Sequence, residues 1–122
     1  MAVFRLSATA EADIISLLAW TDSHLGDVVR RRYEMLLVTA LRDIAADPER
    51  LGSAARPELG PGVRSYHLFH SRERSRTDDG IVHRPRHFLL YRVTNPDVIG
   101  IGRVLHDAME IERHLPPDYG DA

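Results

Sequence analysis

Tyr33, Leu37, Ala40, Leu41 and Ile44 fall at i, i+4, i+7, i+8 and i+11. A helix of 3.6 residues per turn places that spacing on a single face; an alternating strand does not. Arg30, Arg31, Arg32 and Arg42 take polar positions around it. Asp47-Pro48 ends the run, because a proline pushes its predecessor out of the helical region. A second helical run is predicted just upstream, over residues 8–24. It carries Ile14, Leu18, Thr21 and Leu25 on one stripe, widened by Ile15 and Leu17. Ser7 is suited to cap its N-terminus, and Glu11 and Asp13 lie in the turns where the helix dipole favours negative charge. Gly26 closes it, and Asp27 can cap the helix that follows. With a residue or two between them, the two helices are expected to fold back as an antiparallel hairpin.

The rest of the chain supplies strands. Residues 2–6 alternate loosely and read as a first strand, and 63–69, 87–93 and 98–105 as three more. Residues 48–62 are rich in proline and glycine and read as a connection. Asn95-Pro96-Asp97 is a turn that makes the last two strands a hairpin. Gly100-x-Gly102 lies within a strand, where glycine marks a bulge or a close backbone approach. The polar stretch 70–86, with Asp79-Gly80 near its middle, reads as a long hairpin tip or a partly disordered loop. Asp107 and Glu110 form a capping-box pattern, Asp-Ala-Met-Glu, which predicts a short C-terminal helix with Ala108, Ile111, His114 and Leu115 on one side. Pro116-Pro117 would end it, leaving 116–122 as a tail. The expected order is β-α-α-β-β-β-α. That is an α+β domain over residues 1–115, a helical hairpin packed on an antiparallel β-meander.

Composition narrows the function classes. The chain has 122 residues, 43% of them hydrophobic and 28% charged, which suits one globular domain. The longest apolar runs span only a few residues, far short of the roughly 20 that cross a bilayer. The N-terminus has no basic segment leading into an apolar one, so a cytoplasmic location is the expectation. Cysteine is absent, which removes disulfides and thiolate chemistry. All 16 basic residues are arginine. Arg72, Arg74, Arg76, Arg84, Arg86 and Arg92 make 70–92 locally basic, with His70, His83 and His87 among them. Arginine favours bidentate contact with carboxylate or phosphate.

Generic catalytic signals are few. No glycine-rich phosphate loop and no His-x-x-x-His helix is present. His67 and His70 would point to opposite faces of a strand, so neither metal nor cofactor is expected. A Ser65, His106, Asp107 triad can be written down, but no spacing positions it.

Four segments in order carry a resemblance. Leu6-Ser7-x-x-Ala10-x-x-Asp13-Ile14 opens the series. Arg56-Pro57-Glu58-Leu59-x-Pro61-Gly62-Val63-Arg64-Ser65-Tyr66 follows, and then His87-Phe88-Leu89-Leu90-Tyr91-Arg92-Val93. The last is Ile101-x-Arg103-Val104-Leu105-His106-Asp107-Ala108-Met109-x-Ile111-Glu112-Arg113-His114-Leu115. Together they cover roughly residues 4–115 and resemble the ParE branch of the RelE/ParE toxin superfamily. The resemblance implies a toxin of a type II toxin–antitoxin pair that poisons DNA gyrase. It also implies a ParD-like antitoxin partner, through which operator DNA is bound indirectly. Relatives of the RelE branch cut mRNA on the ribosome instead.

The alternative branch would use Arg64, Arg92, Arg103 and His106 as its catalytic surface. The lysine-rich set of ribosome-dependent relatives is missing here, and a helix is expected after His106, as in the ParE pattern. The non-catalytic branch is therefore favoured. On that reading Met109, Ile111, Arg113 and Leu115 are the expected target-binding residues. Trp20, Arg30, Arg31 and Arg103 are expected to meet the antitoxin. Trp20 lies on the flank of its helix, and tryptophan is enriched among interface anchors. The length of 70–86 departs from the short turn usual in such proteins and bears on target choice.

Overall fold

The computed structural model describes residues 2–120, with Thr94 described by its backbone alone. Strand β1 (Val3–Leu6) leads into helices α1 (Ala8–Leu25) and α2 (Asp27–Ala46). Strands β2 (Ser53–Ala55), β3 (Val63–His67), β4 (His87–Asn95) and β5 (Val98–His106) follow. They form one sheet in the order β1-β5-β4-β3-β2. β2 to β5 run as an antiparallel meander, and β1 adds to β5 in parallel. The α+β plan of a helical hairpin on a meander thus holds. The short β2 inside the expected connection and the parallel β1 are additions to it.

Local chemistry sets the helix ends. Ser7 caps α1, its Oγ accepting from the Ala10 N–H at 3.0 Å and donating to the Gly102 carbonyl at 2.8 Å. One hydroxyl therefore fixes both the helix start and its seat on β5. Gly26, at φ 91°, ends α1 and lets α2 begin at the next residue. Asp27 is the first residue of α2 rather than its cap, and pairs with Arg31.

The helices bury Leu36, Leu37, Ala40 and Ile44 against Tyr66, Leu89, Tyr91 and Ile101 on one face of the sheet. All five residues that predicted α2 are buried. On α1, Ile14, Leu17 and Leu18 pack at the core margin, whereas Ile15 and Leu25 are mostly exposed.

The C-terminal helix does not form. The chain makes only a single 3₁₀ turn at Ile111–Arg113. The Asp107 carboxylate that would cap a helix is instead occupied by Arg86 and His67. The segment then crosses the sheet face opposite the helices, where Ile111 and Tyr119 pack with Val63 and Leu90. Residues 116–120, expected as part of a tail, lie on the sheet with Tyr119 buried. Gly102 is the extra residue where the β4–β5 register shifts from Leu90↔Arg103 to Tyr91↔Ile101. A Cβ there would stand 2.6 Å from Pro116 and the Tyr119 ring, so close approach explains the glycine.

Residues 70–86 are neither a protruding tip nor a loose loop. They wind back over α2 through two 3₁₀ turns, Leu68–Ser71 and Glu73–Ser75. The buried Asp43 of α2 accepts from Ser71 Oγ at 2.7 Å and Arg74 Nε at 2.9 Å, and pairs with Arg50 at 3.2 Å. Arg31 binds the Asp79 carboxylate, Arg32 binds its carbonyl, and Ile81 is buried. No helix among the described residues is long and apolar enough to cross a membrane.

Candidate functional site

The end of the sheet where β3 and β5 stop and β4 begins gathers three histidines that are far apart in sequence. His87 lies directly across from His106 in the β4–β5 ladder, and His67 is the last residue of β3. The His87 and His106 rings meet edge to face, with centroids 5.2 Å apart. Asp107 joins the group. Its Oδ2 accepts from His67 Nε2 at 3.0 Å, and Arg86 grips it with Nη2 donating to Oδ1 at 2.8 Å. Beneath them the hydroxyl of buried Tyr33 meets His87 Nδ1 at 2.7 Å and accepts the Arg86 N–H at 3.1 Å.

These contacts set the tautomers. His67 Nδ1 accepts the Phe69 N–H and His106 Nδ1 accepts the Ala108 N–H, each at 3.1 Å. In the neutral ring the proton then sits on Nε2. With the Tyr33 hydroxyl donating to His87 Nδ1, the assignment that uses its proton as well as the lone pair facing the Arg86 N–H, His87 too carries its proton on Nε2. Burial, together with the neighbouring His106, lowers the His87 pKa to about 4, so the ring is neutral at pH 7. Hydrogen bonds from Arg86, assisted by His67, hold Asp107 at about 2 against a weaker opposing effect of burial.

A groove of about 580 Å³ runs from this cluster along α1. Leu17, Trp20, Val29 and Leu105 contribute to its apolar lining, with Met109 at one side. Val82, Arg84 and Arg86 form the wall built by the end of the 70–86 segment. Trp20 is 55% exposed and stacks on His24 at 4.4 Å.

The residues expected to form an RNase surface do not converge. Arg103 is committed to Asp13 by two bonds of 2.8 and 2.9 Å, and the same carboxylate accepts the Val104 N–H at 3.0 Å. Arg64 donates to Ser53 Oγ at 2.8 Å, and Arg92 lies over the Tyr119 ring at 4.6 Å. Of the four, His106 alone belongs to the histidine cluster. Nor is the Ser65 triad assembled, since Asp107 serves Arg86 and His67 and Ser65 Oγ is approached by Arg56 at 3.5 Å.

The expected target-binding residues share no helix face. Met109 borders the groove, Ile111 packs inward, Arg113 pairs with Glu110 at 2.9 Å, and Leu115 is 44% exposed. Of the expected antitoxin contacts, Trp20 lies in the groove, Arg30 pairs with Asp22 and Glu34, and Arg31 with Asp27 and Asp79. Arg103 is mostly buried in its pair with Asp13. Sequence reading missed the junction of His67, His87 and Tyr33 and the place of Arg84 on the groove wall. The one signal present was the run of arginine and histidine over 83–87, which carried no hint of its partners. No group of ligands fit to hold a metal occurs among the described residues.

The chain is thus a small α+β domain with a mostly antiparallel sheet, a helical hairpin and an apolar groove between them. The family model described as the ParE toxin of type II toxin–antitoxin systems, parDE, matches residues 4–111. The chain therefore belongs to the ParE toxin family. No curated protein matches it.

Proposed function

We propose that this chain inhibits growth by binding a protein target, DNA gyrase, and that a ParD-like antitoxin in the same cytoplasm neutralises it. The family membership gives the toxin–antitoxin context. The observation that carries the binding reading is the long apolar groove, with the exposed Trp20 and Met109 along it. A tryptophan half in water beside an apolar channel is the usual form of an interface anchor. Met109 and Leu115 are the target contacts on this reading. Trp20, Arg30 and Arg31 face the antitoxin, and Arg103 acts through Asp13 by holding α1 to β5.

The histidine cluster favours one second reading, a ribosome-dependent mRNA endonuclease centred on His106. General acid–base cleavage needs one ring to accept a proton and another to donate one. Here backbone N–H groups occupy Nδ1 of His67 and His106, which favours the binding reading over the catalytic one.

The test is inducible expression of the chain alone and with its neighbouring antitoxin. Growth arrest with chromosome breaks and intact mRNA, relieved by the antitoxin, is expected. Arrest with cleaved mRNA, abolished by His106→Ala, would overturn the binding reading. Met109→Glu should relieve toxicity while leaving the fold intact, as read by far-UV circular dichroism.

A further inference from the structure

Three arginines line the groove, and they are not equivalent. Arg103 is neutralised by Asp13, and Arg86 by Asp107. The exposed Arg84 has neither a hydrogen bond nor an ion pair among the described residues. A solvated arginine needs no explanation by itself. This one lines the same groove as His87, three residues further on in the chain, and His106. Both rings have Nδ1 engaged from within the protein, by Tyr33 and by the Ala108 N–H. Nε2–H is then the donor that each can offer to an occupant. Asp107, the acidic group of the histidine cluster, has both oxygens bonded to Arg86 and one also to His67. It leaves Arg84 unopposed.

We propose that the histidine end of the groove is a carboxylate-recognition site, where Arg84 and the Nε2–H groups of His87 and His106 receive an acidic side chain of a partner segment. The apolar side chains of that segment lie along Leu17, Trp20 and Leu105. Charge complementarity selects the occupant, because an apolar channel ending in a free guanidinium and two imidazole N–H donors matches an apolar stretch followed by Asp or Glu. A nucleic-acid backbone would present repeated charge to a mostly apolar wall. The carboxylate site stands on the groove alone. Its identification with the antitoxin rests on the function proposed above. Val82, Arg84 and Arg86 come from the long 70–86 segment, so that segment would choose the partner. Occupancy would also cover Met109, a target contact on that reading.

The chain has one tryptophan, and it lies in the groove, so its fluorescence reports occupancy directly. The probe is a synthetic, tryptophan-free helical peptide of about 16 residues. It carries Leu at i, i+3, i+4 and i+7 and ends in Glu with its C-terminus amidated; a second, equally amidated version ends in Gln. The Glu peptide should titrate the Trp20 signal about fivefold more tightly than the Gln peptide. Arg84→Gln should erase that difference, whereas Arg42→Gln, on the far helix, should keep it. Equal affinity of both peptides for the wild-type protein, or no response of Trp20 to either, would overturn the proposal. So would a response to a single-stranded oligonucleotide in place of the peptide, or self-association that occupies the groove. A parallel copurification separates the two layers of the argument. Full-length antitoxin held equally by wild type and Arg84→Glu would overturn the assignment of this site to the antitoxin and leave the toxin reading standing. Failure of the antitoxin to copurify with wild type, alongside a Glu-selective peptide response, would overturn only the antitoxin reading.

Discussion

The helical hairpin faces two different kinds of surface. Along its length it covers the sheet with aliphatic and aromatic side chains, and Leu36, Ala40 and Ile44 are fully buried. Where the strands stop, the same hairpin meets a polar junction of three histidines, Asp107, Arg86 and the Tyr33 hydroxyl. The first region is held by burial, which is proportional to area and tolerant of detail. The second is held by directional bonds, and each group is positioned by another element. One region makes the domain stable, and the other shapes what it can contact.

That contrast can be broken by mutation, and the largest effects belong to the first region. Ile44→Ala or Leu89→Ala should each cost about 3–4 kcal/mol in chemical denaturation, as fully buried aliphatic truncations do. A loss below about 1 kcal/mol would show the core to be less tightly packed than described.

Asp43 comes next. Its carboxylate is buried and binds Ser71, Arg74 and Arg50. Asp43→Ala strips those groups of their partner and should cost about 3 kcal/mol. Trypsin should then cut at Arg72, Arg74 or Arg76 well before the helices, because the segment loses its anchor on α2. Unchanged proteolysis would mean that Ile81 and Asp79 hold it unaided.

Acid should act on the second region. His87 titrates at about 4 when folded and near 6.5 when free. The unfolded chain therefore binds the extra proton first, and stability falls as pH drops from about 6.5 to 4. The loss should be about 2 kcal/mol, allowing for partial solvent access. Asp107, lowered to about 2, extends the decline below pH 4. His87→Gln should flatten the upper part of the curve. A wild-type curve already flat between pH 6.5 and 4 would contradict the buried neutral ring. The smallest change is expected at Trp20: Trp20→Ala should alter stability by less than about 0.5 kcal/mol, while abolishing antitoxin capture in a pull-down.

How much of this was legible in the sequence follows the same division. The face of α2 could be read because apolar periodicity is local, and Tyr33 to Ile44 declare it within three turns. Ser7 and Gly26 were legible for a similar reason: each answers a demand of its own helix end, whereas the Pro116 and Tyr119 side chains that require Gly102 are remote in sequence. The C-terminal helix was misread because its capping signal was also local, whereas the Asp107 carboxylate is claimed by Arg86 and His67 from other elements. The 70–86 segment has no period, since polar bonds to α2 hold most of it. The histidine cluster required the β4–β5 register, which sets His87 against His106 and which no spacing in the sequence encodes. Arg103 was read without its partners, because the Asp13 carboxylate and the His114 carbonyl that it binds come from α1 and the C-terminal segment and no spacing announces them.

The central claim is inhibition by binding a protein target rather than by cutting nucleic acid. Purified, antitoxin-free protein should be added to gyrase, ATP and relaxed plasmid, with His106→Ala and Met109→Glu in parallel lanes. Supercoiling should be lost, or gyrase-dependent cleaved plasmid accumulate, with wild type and with His106→Ala, and Met109→Glu should be inactive. Undisturbed gyrase at concentrations that stop growth, together with mRNA cleavage that needs His106, would contradict the account.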